Sequence, residues 1–120
     1  MNLQKDALEF IVAYYSTMTY RQSDLPKFYD STALISRPLF QEPKLINENL
    51  NQLAFLTNQG SSINIISKSI IPSKDYLAIS IVGSATINGH EKIFTQMFVL
   101  QEKCDRLYIT SDSIQFVEAL

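Results

Sequence analysis

The chain has 120 residues, room for one compact domain with a real core and too few for two, so it reads as a single domain over residues 1–120. Hydrophobic residues make up 46% and charged residues only 18%, against about a quarter charged in an average soluble domain. Ten Lys and Arg against twelve Asp and Glu leave a formal net charge of −2, with no basic excess to hold a nucleic-acid backbone or an anionic membrane.

One cysteine, Cys104, and one histidine, His90, exclude a disulfide framework or a His/Cys metal site within one chain, and no cofactor is expected. An unpaired thiol fits a reducing compartment. The amino terminus, Met1-Asn2-Leu3-Gln4-Lys5-Asp6, lacks the basic start and apolar run of a signal peptide, and the expectation is an intracellular protein. The longest apolar stretches, Phe10–Tyr15 and Tyr76–Val82, fall far short of the ~20 residues that span a bilayer.

Leu3, Ala7, Phe10, Ile11, Tyr14 and Met18 recur at helical spacing with Lys5, Asp6 and Glu9 opposite, which predicts an amphipathic first helix. Ser23-Asp24-Leu25-Pro26 supplies a capping residue and an early proline for a short second helix that stops at Asp30-Ser31. Ala33-Leu34-Ile35 suits a brief strand. After Pro38–Pro43, the series Leu45, Ile46, Asn49, Leu50, Leu53, Leu56 predicts a third helix ending near Gly60.

From Ser61 onward the pattern is β. Ile63–Ile71 is rich in β-branched residues and turns at Pro72-Ser73-Lys74-Asp75. Leu77–Ile87 alternates, and Asn88-Gly89 suits the positive φ angles of a type I′ hairpin turn. Lys92–Leu100 returns, a turn follows around Lys103-Cys104-Asp105, and Leu107–Val117 is the last strand. The fold class is therefore α+β, three N-terminal helices packed on an antiparallel sheet.

That sheet has an unusual face. No Asp, Glu, Lys or Arg occurs from Tyr76 to His90, yet helices can cover only one side, and a solvated face would carry charge. A second sheet or subunit is expected on the set Ser80, Val82, Ser84, Thr86, Ser113, Gln115 and Val117. The opposite set, Tyr14, Ile79, Ile81, Phe98, Asp112, Ile114 and Phe116, together with Phe10, is expected to form the core and line any cavity.

Tyr14-Tyr15 followed by Arg21, Leu25 and Tyr29, then a helix, a strand ending in Gly83, the run Phe94-Thr95-Gln96-Met97-Phe98-Val99-Leu100, and Ser111-Asp112 before a final strand together resemble the nuclear transport factor 2-like family over nearly the whole chain. The resemblance implies a strongly bent antiparallel sheet wrapped around helices, an apolar cavity, and dimers made through the outer sheet face. Within the family, Tyr14-Tyr15-Ser16-Thr17-Met18-Thr19-Tyr20-Arg21, Gly83-Ser84 and Ser111-Asp112 are most similar to the small nuclear RNA export cofactor. That similarity implies a larger messenger RNA export receptor as heterodimer partner, or self as homodimer partner, with phenylalanine-glycine nucleoporins as a further partner class. It also implies residence in the nucleus, nuclear pore and cytoplasm. The homodimeric import factor for Ran-GDP ranks second, because Arg37, Asn88 and His90 stand where that protein is expected to be acidic. Two further departures are Gln115, where the family generally carries an Arg that pairs across the dimer, and Ser36, where it tends to place a cavity-lining Trp.

Some relatives with this fold are isomerases or dehydratases. Acid-base catalysis needs a tuned carboxylate, His or Tyr inside the cone. His90 beside the Asn88-Gly89 turn reads as a solvated loop residue, and Asp112 as a carboxylate bonding loop amides at the strand start. Tyr14 and Tyr15 read as packing residues with one hydroxyl reaching a partner. Lys68, Lys74, Lys92, Lys103 and Arg106 make no basic stripe. The expectation is a non-enzymatic association subunit that touches neither nucleic acid nor membrane, with a small-molecule isomerase as the third reading.

Overall fold

The computed structural model describes residues 3–58 and 62–117. The expected helix stop at Gly60 and the change of pattern at Ser61 lie outside the described residues, as does the Leu3 side chain. Helix α1 spans Leu3–Tyr20. It buries Ala7, Phe10, Ile11, Tyr14, Tyr15 and Met18 along one stripe while Val12 and Tyr20 stay in solvent, the pattern of a helix lying on a sheet.

The second helical segment, Gln22–Phe28, is a 3-10 helix. Arg21 rather than Ser23 holds its N-cap position, without a side-chain cap bond. Leu25 plugs the core from this short piece.

The third helix of the sequence reading is absent in that form. Its place is taken by strand β2 (Lys44–Leu45), two 3-10 turns at Ile46–Glu48 and Leu50–Gln52, and a four-residue helix α2 (Phe55–Asn58). Asparagines explain the break, because their side chains offer the backbone alternatives to a helical ladder. Asn49 Nδ2 donates to the Leu45 carbonyl at 3.0 Å, Asn58 Nδ2 to that of Asn51 at 3.2 Å, and Asn47 Nδ2 to that of Ser31 at 3.3 Å. Ile46, Leu53 and Leu56 are buried all the same.

The remaining strands are β1 (Tyr29–Ser36), β3 (Ile63–Pro72), β4 (Leu77–Ile87), β5 (His90–Lys103) and β6 (Arg106–Phe116). Among the described residues they form, with β2, one six-stranded sheet in the order β2-β1-β6-β5-β4-β3. Every neighbouring pair is antiparallel except β1 with β6, which run parallel, so the sheet is mixed where an antiparallel one was expected.

Two hairpin turns set the register of the long strands. Asn88 and Gly89 have φ of 52° and 79°, and Cys104 and Asp105 have 52° and 63°, the left-handed pair that a two-residue hairpin requires. Register shifts at Ile65/Ser67 and Val99/Leu100 mark bulges, which bend a strand and add local twist. Lys103 Nζ ties the second hairpin to β1 through Asp30 Oδ1 at 2.7 Å. The core lies between α1 with its following 3-10 helix and the inner face of the sheet, where Ile79, Ile81, Phe94, Phe98, Ile109 and Ile114 are buried.

Candidate functional site

The interior holds a polar cluster in this apolar setting. Asp112 on β6 and Arg37, just after β1, are 1% and 2% exposed and pair at 2.9 Å through Nη2 and Oδ2. Tyr29 donates to the same Oδ2 at 2.5 Å, and Gln96 Nε2 on β5 donates to Oδ1 at 2.9 Å. Since the Tyr29 proton goes to Asp112, the 2.6 Å contact between the Tyr14 and Tyr29 hydroxyls has Tyr14 as donor. Tyr15 donates to Gln96 Oε1 at 2.6 Å. The other Arg37 donors are spent on backbone: Nε on the Gln52 carbonyl at 2.8 Å and Nη1 on that of Ser36 at 2.9 Å.

The electrostatics follow from burial. Desolvation pushes the Tyr14, Tyr15 and Tyr29 hydroxyls well above the usual phenol range, and the Asp112 carboxylate adds to the shift. For Arg37, burial works against the charge, but Asp112 and the tyrosines outweigh it and hold the guanidinium above its ordinary value. Among the described residues no buried side-chain nitrogen or oxygen lacks a partner, and no cluster of metal-ligating side chains occurs. The cluster is internally closed, with both Asp112 oxygens already occupied by protein donors.

Of the residues expected to line a cavity, Tyr14, Ile79, Ile81, Phe98, Asp112 and Ile114 are brought together as tightly packed interior. Tyr14 and Phe98 rings sit 4.9 Å apart, edge to face. Phe116 is only partly buried, between Phe55 at 6.0 Å and the Lys92 ammonium at 5.1 Å. Open space lies elsewhere among the described residues, and one groove of about 340 Å³ runs along α1. Phe10, Phe28 and Leu107 are among its lining residues, with Asp6, Glu9, Lys27, Asp105 and Arg106 around them.

Several sequence expectations are corrected. Asp112 bonds side chains from β1, β5 and the residue after β1, in place of loop amides. The Tyr14 and Tyr15 hydroxyls are both consumed inside the protein. Arg37 is withdrawn from the surface, so its positive charge offers nothing to a partner. Ser36 pairs with Ser113 on the outer side of the sheet while Ile35 faces the core, so the Ser36 position does not line a cavity. His90, exposed as expected, opens β5. Gln96 is absent from the expected cavity-lining set, although alternation through Phe94-Thr95-Gln96-Met97-Phe98 places it inward between two phenylalanines. Tyr29 opens β1, ahead of the Ala33-Leu34-Ile35 stretch that the sequence marks as strand, so no alternation pointed it inward. Arg37 gave no periodic signal because it follows the strand.

The middle of the outer sheet face reads as three cross-strand rows, and toward the Asn88-Gly89 turn Thr86 on the same face stands opposite the exposed Glu91. One runs Ser69, Ser80, Met97, Ser113, Ser36; the next Ser67, Val82, Thr95, Gln115; the third Ile71, Ala78, Val99, Ser111, Leu34, Leu45. No charged side chain stands in any of them. Met97 is 55% exposed, and Ile71, Leu34 and Leu45 are likewise open to solvent. Of the predicted interface set, Ser80, Val82, Thr86 and Ser113 are half-buried, Gln115 and Val117 are exposed, and Ser84 is already buried within the chain.

The sheet order, the helix across it and the buried cluster frame the comparison with known proteins. The profile of the nuclear transport factor 2 (NTF2) domain matches residues 7–116. The chain belongs to the NTF2 domain family. Among solved structures, the NTF2-domain chain is similar to the yeast UBP3-associated protein BRE5, at 21% identity over 99% of each chain with a TM-score of 0.81. It is similar also to an NTF2-like protein from Cytophaga hutchinsonii, at 11% identity over 98% of this chain and 100% of that one, TM-score 0.77. A candidate ketosteroid isomerase from Shewanella frigidimarina matches at 10% identity over 88% and 90% of the two chains, TM-score 0.71. The NTF2 fold therefore spans non-enzymatic proteins and isomerase-like ones. Comparison with curated proteins finds no match.

Proposed function

We propose that this NTF2-like domain is a non-enzymatic association subunit that pairs through the outer face of its sheet, with a second copy or with a larger relative carrying a related domain. The carrying observation is the set of three uncharged cross-strand rows, fifteen positions from Ile71 across to Leu45 with no Lys, Arg, Asp or Glu. A face left in water would normally hold charge, and a covered one would not. The closed interior supports the non-enzymatic half of the reading. Both Asp112 oxygens already accept from protein donors in a side chain shut off from solvent, and burial keeps the three tyrosines protonated. Similarity to a protein described as UBP3-associated is in keeping with a role in association.

The finer form of the reading is nucleocytoplasmic transport, as a partner of a larger messenger RNA export receptor in the nucleus, pore and cytoplasm, and it rests on the sequence resemblance of Tyr14–Arg21, Gly83-Ser84 and Ser111-Asp112. Ran-GDP carriage has less support, because Asn88 and His90 stand where that import factor is expected to be acidic.

Val82→Arg tests the face. Val82 stands mid-row between Ser67 and Thr95, and an unpaired charge buried there costs several kcal/mol in the pair and little in the free subunit. Sedimentation should show the wild type as a dimer and the variant as a folded monomer; an unchanged dimer overturns the assignment. Co-purification from the native cell with mass spectrometry separates a self-pair from a larger relative, and recovery of no export receptor removes the transport form.

A further inference from the structure

The far side of β3 closes the sheet order without a neighbouring strand among the described residues. Two hydrogen bonds settle which of its backbone groups face outward. Ser73 N–H donates to the Tyr76 carbonyl at 2.8 Å and Thr86 N–H to that of Ser62 at 3.3 Å, making 73/76 and 62/86 the bonded type of antiparallel pair. Such pairs alternate along a ladder. Counting inward, Ser67, Ser69 and Ile71 point their amides at β4, while Ile63, Ile65, Lys68 and Ile70 point theirs away, with the phase change absorbed by the bulge between Ile65 and Ser67. Pro72 agrees, since a residue without an N–H fits an edge strand only where that group would face outward.

Lys68, the bulge and Pro72 keep this edge from pairing indiscriminately, but the strand is long and the outward amides of Ile63, Ile65, Lys68 and Ile70 have no strand beside them among the described residues. The strand is ten residues long, its one charge is Lys68, and its proline is at the very end. Lys68 is exposed and has no ion pair among the described residues. We propose that the β3 edge is a docking site for an extended segment of a partner protein, added as a further strand, with a carboxylate opposite Lys68 and β-branched or hydroxyl residues on either side. Cross-strand neighbours of opposite charge attract and like charges repel. A second copy fits poorly: antiparallel self-pairing centred on Lys68 opposes two ammonium groups, and centring it on Ser69 runs Pro72 against the bulge at Ile66. The site does not depend on the outer-face pair.

The test uses the whole chain and a short synthetic peptide of alternating valine and threonine with one central glutamate. Amide exchange should slow at Lys68 and Ile70 on peptide addition and stay unchanged at Ser67 and Ser69, which are already bonded to β4. Ile70→Pro deletes an outward N–H and should weaken binding at least tenfold. Lys68→Glu should do likewise and be rescued by a peptide with lysine in place of glutamate, which serves also if the proline variant does not fold. No slowing at Lys68 and Ile70, equal affinity in Lys68→Glu for both peptides, or protection of this edge in the peptide-free protein through a second copy overturns the proposal. Sedimentation of the same samples reports the outer-face pair separately.

Discussion

Asp112 receives hydrogen bonds on Oδ2 from Tyr29 and Arg37 and on Oδ1 from Gln96, so one carboxylate joins β1, β5 and β6 to the loop after β1. Such a pair adds less net stability than its geometry suggests, since both ions lose their hydration, but removing one partner strands the other. Asp112→Asn keeps the shape and leaves the Arg37 guanidinium buried without its counter-ion; we expect a loss of about 3–5 kcal/mol in urea unfolding. Arg37→Met in the same background should recover part of that loss, because the orphan charge then goes too. A double variant no more stable than Asp112→Asn alone would show that the remaining hydrogen bonds, rather than charge pairing, set the cost. Asp112 and Gln96 were readable from strand alternation, and both face inward accordingly. Arg37 was not, because its side chain reaches the core from a non-repeating segment, where spacing carries no information about direction.

Among the elements, β4 was the most legible, since its alternation reports the two faces directly: Ile79, Ile81 and Ala85 are buried inward, and Ser80, Val82 and Thr86 lie opposite. Gly83 sits in the same strand for a packing reason. A Cβ there would lie 2.7 Å from Phe94 Cζ and 2.8 Å from the Asn64 carbonyl oxygen. Phe94 is fully buried and the carbonyl belongs to β3, so neither can yield cheaply. Gly83→Ala should cost about 1–3 kcal/mol as an overpacked site, visible as a lower urea midpoint at unchanged slope, and Phe94→Leu alongside it should relieve some of the strain. The segment 44–58 was the least legible. Its apolar residues recur at helical spacing, and Ile46, Leu53 and Leu56 are buried while Leu45 and Leu50 are exposed, because asparagine side chains take over backbone carbonyls and cut the helix into turns. Hydrophobic period identifies which side chains go inside; it does not report local competition for the backbone. The parallel β1–β6 pairing was equally hidden, because it joins segments more than seventy residues apart and neither strand's own pattern encodes its neighbour's direction.

For the molecule as a whole, pH separates the contributions of surface and interior. Lys103, with Thr32, holds Asp30 down to about 2, so its contribution is present above the ordinary carboxylate pKa and fades as pH falls toward 2. The pair is solvent-facing, so this acid-side effect is small. The alkaline side is different. Tyr14, Tyr15 and Tyr29 have folded-state pKa values raised by burial, while in the unfolded chain each ionises near 10. Below pH 10 both states keep the protons and stability is flat. Above it the unfolded state binds fewer protons than the folded state, so stability falls as pH rises, by about 1.4 kcal/mol per pH unit for each tyrosine and up to about 4 for all three. Urea unfolding followed by circular dichroism from pH 8 to 11 should therefore show a plateau and then a steep decline, with no ionised-tyrosine absorbance from the buried residues until the protein unfolds. Tyr15→Phe should lower stability at pH 8, by loss of the Gln96 bond, and also make the decline above pH 10 shallower by one proton. An unchanged slope in that variant, or phenolate absorbance that the still-folded wild type shows and Tyr15→Phe loses, would mean that water reaches the cluster and that the interior is open to small molecules after all.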